Sequence, residues 1–247
     1  MADLKKTFAP KPKKLNTPPL SNTFLLGTMI CKFTMPKQMI NGINKAYDNA
    51  KDLPAHNDRL AGKIADEFKV TDILTEDDKS TFLNCFRKYL ETIQKPFWHC
   101  FPENAWINEM KSGEYNPMHF HTADMTDVGL SSVLMLKRPD WYGVEASLEE
   151  KPANGWLEFV GGDQGPLAIP QMRVDAQVGE FYVFPYSLMH GVYPFNSTDE
   201  VRRTMSYNCN LFKDTQFAIL SETDKEGNIQ REILEYGGKS GQSSPGY

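Results

Sequence analysis

Several protein classes need features that this chain has little of. Its 247 residues include only four cysteines, Cys31, Cys85, Cys100 and Cys209, widely spaced and without a CxxC pair. That excludes a disulfide framework and reads as buried thiols in a reducing compartment. No long hydrophobic run is present: the best, Phe24 to Cys31, is too short to span a bilayer and is closed by Lys32. The run follows a lysine-rich start, but Pro18 and Pro19 crowd its approach and no small-residue cleavage site follows, so no secretory signal is expected. The expectation is a soluble, cytoplasmic protein with no membrane partner. Positive charge is not in surplus either. Lys and Arg number 27 against 32 Asp and Glu, a net charge of −5, which disfavours nucleic acid as a partner.

The rest of the composition is ordinary. Hydrophobic residues make up 40%, charged residues 24% and aromatics 12%, which excludes wholesale disorder, collagen and coiled coil. Residues 1–22 combine lysines and prolines with few apolar side chains, and residues 237–247 (GGKSGQSSPGY) are similarly poor. Neither stretch can bury enough surface to order itself, so both read as disordered tails around a single domain from 23 to 236. The basic N-terminal stretch is a solvated tail or an arm for an acidic partner.

Within the domain, helical signals come first. A strand is expected over Thr23–Thr34, then a helix after Pro36 with Met39, Ile40, Ile43 and Ala46 on one face. A shorter helix is expected over Leu60–Phe68. A third, from about Lys79 to Ile93, places Phe82, Cys85, Phe86, Tyr89 and Leu90 at helical spacing, with Asp77 or Asp78 near its start and Pro96 beyond its end. From Trp98 the texture changes to short β-branched and aromatic runs: Leu130–Leu136, Trp156–Val160, Phe181–Phe184 and Thr204–Phe212. A further hairpin joins Phe217–Ser221 to Asn228–Leu234 through DKEG. Helices first and strands later give an α+β layout with an antiparallel β core.

Of the five histidines, two form His119-Phe120-His121. On a strand these side chains share a face and can aim at one metal ion. His190, after the apolar stretch GEFYVFPYSLM, is a third candidate from a facing strand. His99 reads as a packed residue of an aromatic cluster and His56 as a loop residue. Arg202 and Thr204 stand two apart on an expected strand, and the same parity continues through Ser206 and Asn208. Such a face is either a solvated polar surface or the lining of a pocket in which an arginine and a hydroxyl hold a carboxylate. Arg203 belongs to the opposite face.

An HxH pair, a distal histidine and an Arg-x-Thr twelve residues after it resemble the Fe(II)/2-oxoglutarate-dependent oxygenases. More narrowly, Trp106-Ile107-Asn108, NPMHFH, LSSV, GEFYVFP, LMHGVYPF and RRTMSYN are similar to a bacterial and tailed-phage subgroup, over roughly residues 57–212. The resemblance implies a double-stranded β-helix (jelly-roll, cupin-like) core with N-terminal supporting helices. It implies Fe(II) on His119, His121 and His190, and 2-oxoglutarate as cosubstrate on Arg202 and Thr204. The implied reaction spends dioxygen and 2-oxoglutarate to hydroxylate a peptidyl side chain or small metabolite, releasing succinate and carbon dioxide. Most of the superfamily has a carboxylate where this chain has His121, so Asp124 and Asp127, just downstream, are alternative oxygen ligands. Asn108, Tyr115, Ser206 and Asn208 are candidate pocket residues. Two other readings stand beside this one: a three-histidine cupin-like metalloenzyme with Fe(II) or Zn(II) and no 2-oxoglutarate, and a non-catalytic jelly-roll binding protein.

Overall fold

The computed structural model describes residues 27–56, 63–123, 126–144, 153–162, 165–166, 168–196 and 198–213, and the backbone of 217–223 and 229–236. Among the described residues, two helices and twelve strands follow one another in the order β1 (Cys31–Thr34), α1 (Lys37–Asn49), β2 (Asp66–Lys69), α2 (Glu76–Thr92), β3 (Trp98–Met110), β4 (Asn116–His119), β5 (Gly129–Lys137), β6 (Leu157–Val160), β7 (Gln171–Val174), β8 (Glu180–Pro185), β9 (Met189–Val192), β10 (Arg202–Lys213), β11 (Phe217–Thr223) and β12 (Ile229–Tyr236). A short 3-10 turn at Thr71–Ile73 leads into α2.

Strands β3 to β10 pair as a folded ribbon. β3 lies against β10, β4 against β9, β5 against β8 and β6 against β7, all antiparallel. Rolling that ribbon puts alternate strands into two sheets, of order β1-β8-β5-β10-β3-β2 and β4-β9-β6-β7. This nested pairing is the double-stranded β-helix, or jelly roll. β11 and β12 form a separate hairpin.

The major sheet has two differently loaded faces, because side chains alternate along each strand. Its outer face carries Ala105, Ile107, Leu134, Leu136, Phe181, Met205 and Tyr207, buried under the helices. Phe82 and Phe86 of α2 meet Phe181 and Tyr207 edge-on, with ring centroids 5.1–6.3 Å apart. α2 starts with a capping box: the Thr75 hydroxyl accepts from the Asp78 N–H, and the Asp78 carboxylate accepts from the Thr75 N–H. The inner face of the major sheet turns toward the minor sheet, where Val133, Met135, Tyr182 and Phe184 pack with Leu157 and Phe159. Among the described residues no helix is long and apolar enough to cross a membrane.

Two expectations need correction. No helix forms at the C-terminal end of Leu60–Phe68: Asp66–Lys69 is the edge strand β2, hydrogen-bonded to β3, and residues 60–62 lie outside the described part. Leu60, Ile64 and Phe68 have helical spacing, but the free edge of β3 offers Glu67 and Phe68 a ladder that puts them on opposite faces. The first strand is also shorter than Thr23–Thr34. It begins at Cys31, beyond Gly27, whose φ of +138° is incompatible with a strand, and residues 23–26 are not described. β2, β3, β4, β7 and β9 were not marked out by alternation.

Candidate active site

The inner surface of the roll brings the three histidines together. β4 and β9 pair with His119 directly opposite His190. Gly191 permits that closeness, since a Cβ there would lie 2.9 Å from the Asn116 carbonyl and 3.0 Å from the Met118 sulfur. β4 ends at His119, and His121 follows one turn of chain later, its N–H held by the Tyr186 carbonyl at 2.9 Å. One ligand atom from each of His119, His121 and His190 lies within 4.8 Å of the other two. The His121 and His190 rings stack at 5.0 Å, with their Nε2 atoms 3.2 Å apart.

Backbone carbonyls set the ring orientation. His119 Nδ1 donates to the Pro117 carbonyl at 2.8 Å and His190 Nδ1 donates to the Leu188 carbonyl at 2.9 Å. Each Nδ1 therefore carries the proton, which leaves the Nε2 lone pair free for a metal. Asn208 contacts the third ring: its Nδ2 sits 3.4 Å from His121 Nδ1, and its Oδ1 has no partner. Turning the amide over offers that oxygen to an Nδ1–H. Burial holds all three imidazoles neutral. It lowers the pKa of His119 and His190, and takes His121 down to about 3 with help from His119. Neutral nitrogen is the form that ligates. Asp127 is exposed and stands outside this cluster, and Asp124 lies outside the described residues.

The histidines open on a cavity lined by Trp106, Asn108, Asn116, Val133, Leu157, Val192, Thr204 and Ser206. On β10, Thr204 sits opposite Asn108 and Ser206 opposite Trp106, so both strands turn the same residues inward. Arg202, one same-face step beyond Thr204, is 1% exposed. Its Nε donates to the Gly155 carbonyl at 2.9 Å, and its Nη2 has no partner. It lies beside Met110 and near Tyr142, whose hydroxyl is also unpartnered. Burial lowers its pKa, but arginine starts so high that the guanidinium stays charged. A buried cation with an idle N–H and no carboxylate is costly unless an anion completes it.

Arg203 points the other way. Its Nε donates to Glu109 at 2.7 Å, its Nη2 lies 2.8 Å from Asp48, its Nη1 donates to Asn44, and its guanidinium lies 4.5 Å from the Tyr47 ring centroid. Tyr115 does not line the cavity; it forms a lone β-bridge with Lys63. Three polar residues of this surface escaped the sequence reading. Trp106 was visible only within a motif. Asn116 precedes a proline that argued against a strand, and Glu67 sat in the expected helix.

Residues 104–208 match the family model described as "Putative 2OG-Fe(II) oxygenase". That match likens this stretch, 105 of the 247 residues, to the 2OG-Fe(II) oxygenases. Solved structures agree on the fold. A prolyl hydroxylase from Trichoplax adhaerens, in complex with a hypoxia inducible factor oxygen degradation domain peptide fragment, is 9% identical with a TM-score of 0.51, covering 75% of this chain and 84% of that one. EvdO2 from Micromonospora carbonacea var. aurantiaca is 15% identical with a TM-score of 0.50, covering 74% and 87%. No curated protein matches the chain in sequence. The matched family's description names Fe(II) and 2-oxoglutarate, and the donor set suits both: three neutral imidazoles for a metal, and one buried guanidinium without a carboxylate partner for a dicarboxylate. Beside the usual two-histidine, one-carboxylate arrangement, this chain has a histidine, His121, in the carboxylate's place.

Proposed function

We propose that His119, His121 and His190 hold Fe(II) through their Nε2 atoms, and that Arg202 with Thr204 receives the distal carboxylate of 2-oxoglutarate. The observation that carries this reading is the idle Nη2 of Arg202, buried on the same strand face as Thr204 and Ser206. Successive same-face residues of a strand lie about 6.8 Å apart, so Arg202, Thr204 and Ser206 form a polar rail leading from the clamp to the histidines. When bound, iron and 2-oxoglutarate supply the oxidative decarboxylation that couples dioxygen to hydroxylation, with succinate and carbon dioxide released. The substrate class is a peptidyl side chain or a small metabolite.

The protein's own tasks are positioning and exclusion. The Pro117 and Leu188 carbonyls and Asn208 orient the imidazoles. Three neutral ligands leave the site one unit more positive than a site with a carboxylate, which favours a dianionic cosubstrate. Val133, Leu157 and Val192 line the cavity with apolar surface, and Phe184 packs 4.6 Å from the His190 ring, keeping water from that side. A three-histidine enzyme without 2-oxoglutarate leaves Arg202 without an anion. Anaerobic addition of Fe(II) and then 2-oxoglutarate tests the proposal. A visible metal-to-ligand charge-transfer band is expected in the wild type and not in His121→Ala. Its survival in His121→Ala contradicts the three-histidine set.

A further inference from the structure

Glu67 is the least satisfied charged group on the inner face of the major sheet. It is 1% exposed and neither carboxylate oxygen has a hydrogen-bond partner. In the register of the sheet Glu67 lies opposite Asn108, and Asn108 lies opposite Thr204. Partners across antiparallel strands point to the same side, so Glu67 belongs to the cavity side of the sheet, beside the lining residue Asn108 although not itself part of the lining, while its neighbour Phe68 pairs with Ile107 of the helix-covered side. Two further acceptors are idle, Asn108 Oδ1 on its register partner and Asn116 Oδ1 elsewhere in the lining of the cavity. Against these oxygens stands the Trp106 Nε1–H, with the His56 ring 4.9 Å from the indole and the His56 backbone N–H donating to the Glu67 carbonyl.

Among the described residues, two cations at the adjoining strands are committed elsewhere. Lys111 pairs with Asp66 at 2.6 Å, and Arg203 is bound on the far face. Arg202 lies one row along and two strands across, with its free Nη2 facing no carboxylate. The cosubstrate cannot satisfy Glu67 either, because 2-oxoglutarate is itself a dianion and would repel it. What the acceptors lack is a ligand rich in N–H donors and positive charge.

We propose that Glu67 is a specificity-determining residue that receives a cationic nitrogen of the prime substrate, an ammonium or guanidinium group, with Asn108 and Asn116 accepting its neighbouring N–H donors. This rests on the oxygenase reading of the same cavity. Burial and the nearby Glu114 raise the Glu67 pKa to about 7, as befits an acid whose counter-charge arrives with a ligand. The cation has two possible sources, a free amino acid or a residue in a peptide, and the same chemistry serves both.

The test is equilibrium binding by calorimetry on the full chain, with Fe(II) and 2-oxoglutarate under anaerobic conditions. The probes are L-arginine and L-lysine, blocked tripeptides carrying each at the centre, and the neutral counterparts built on citrulline and norleucine. At least one cationic probe is expected to bind ten-fold or more tightly than its neutral counterpart, and the free or peptide arm that does so identifies the source. Glu67→Gln, near-isosteric and without a buried charge, is expected to erase that preference while leaving 2-oxoglutarate affinity unchanged. Equal binding of cation and counterpart, no binding of any probe, or a preference that survives Glu67→Gln overturns the proposal. Failure of 2-oxoglutarate itself to bind the wild type strikes the oxygenase reading instead. The arginine and citrulline comparison, repeated on metal-free protein, then still reports on Glu67.

Discussion

Arg202 and Arg203 are adjacent in sequence, both buried, and opposite in meaning. Arg203 faces the helices and has all its charge answered, by Glu109, Asp48, Asn44 and the Tyr47 ring. Arg202 faces the inside of the roll and has one carbonyl, one sulfur and an idle N–H. A strand separates such neighbours completely, because its period of two sends them to environments that share no atoms. The pair shows that burial of an arginine is not informative by itself. The partner list distinguishes a group whose charge is answered within the fold from one that is left with an idle N–H.

The comparison can be broken at several points. The largest effect is expected inside the roll. His190→Ala removes the most buried of the three imidazoles, and Fe(II) uptake and succinate formation should fall by orders of magnitude while the folded state persists; metal analysis and a turnover assay check this. Next comes the structural arginine. Arg203→Ala strands Glu109 in a half-buried position and should lower unfolding free energy by about 2–4 kcal/mol in a denaturant titration. Arg202→Met replaces an incompletely paired buried cation by an apolar side chain of similar length. Its stability should stay within about 1 kcal/mol of the wild type, or rise.

Another effect depends on pH. Glu67 has a folded-state pKa raised to about 7, above its ordinary 4.5, so between those values the folded chain holds more protons than the unfolded one. Its contribution to stability is therefore present below pH 4.5 and is lost as pH rises through 7. Relative to the wild type, Glu67→Gln should gain on the order of 2 kcal/mol at pH 8 and nothing at pH 4. Denaturant midpoints of the two proteins across that range measure the difference. A constant offset between them contradicts an ionisable group without a partner.

Much of this arrangement was legible in the sequence, for identifiable reasons. Strands buried on both sides, such as β5 and β8, read as apolar runs, and α2 announced itself through helical spacing and an acidic start. The alternation of β10 separated Arg202, Thr204 and Ser206 from Arg203, Met205 and Tyr207 without any coordinates. The edge strand β2 was not legible, because four residues paired on one side carry too little pattern to outweigh apolar spacing of four. Glu67 went unnoticed with it. Nor could sequence reveal that β4 stops at His119. His121 reaches the cluster through the Tyr186 carbonyl, a contact made by a residue 65 positions away in the chain.

The most direct measurement of the central claim is the affinity of the anaerobic Fe(II)-loaded protein for 2-oxoglutarate in the wild type, Arg202→Ala and Arg203→Ala. Leaving a carboxylate unpaired in a buried clamp costs about 2–5 kcal/mol, so Arg202→Ala should weaken binding at least thirty-fold, as roughly 1.4 kcal/mol corresponds to a factor of ten. Arg203→Ala should bind as the wild type does, despite its lower stability. Equal losses in the two variants, or a loss confined to Arg203→Ala, would contradict the assignment of the inner face of β10 to the cosubstrate.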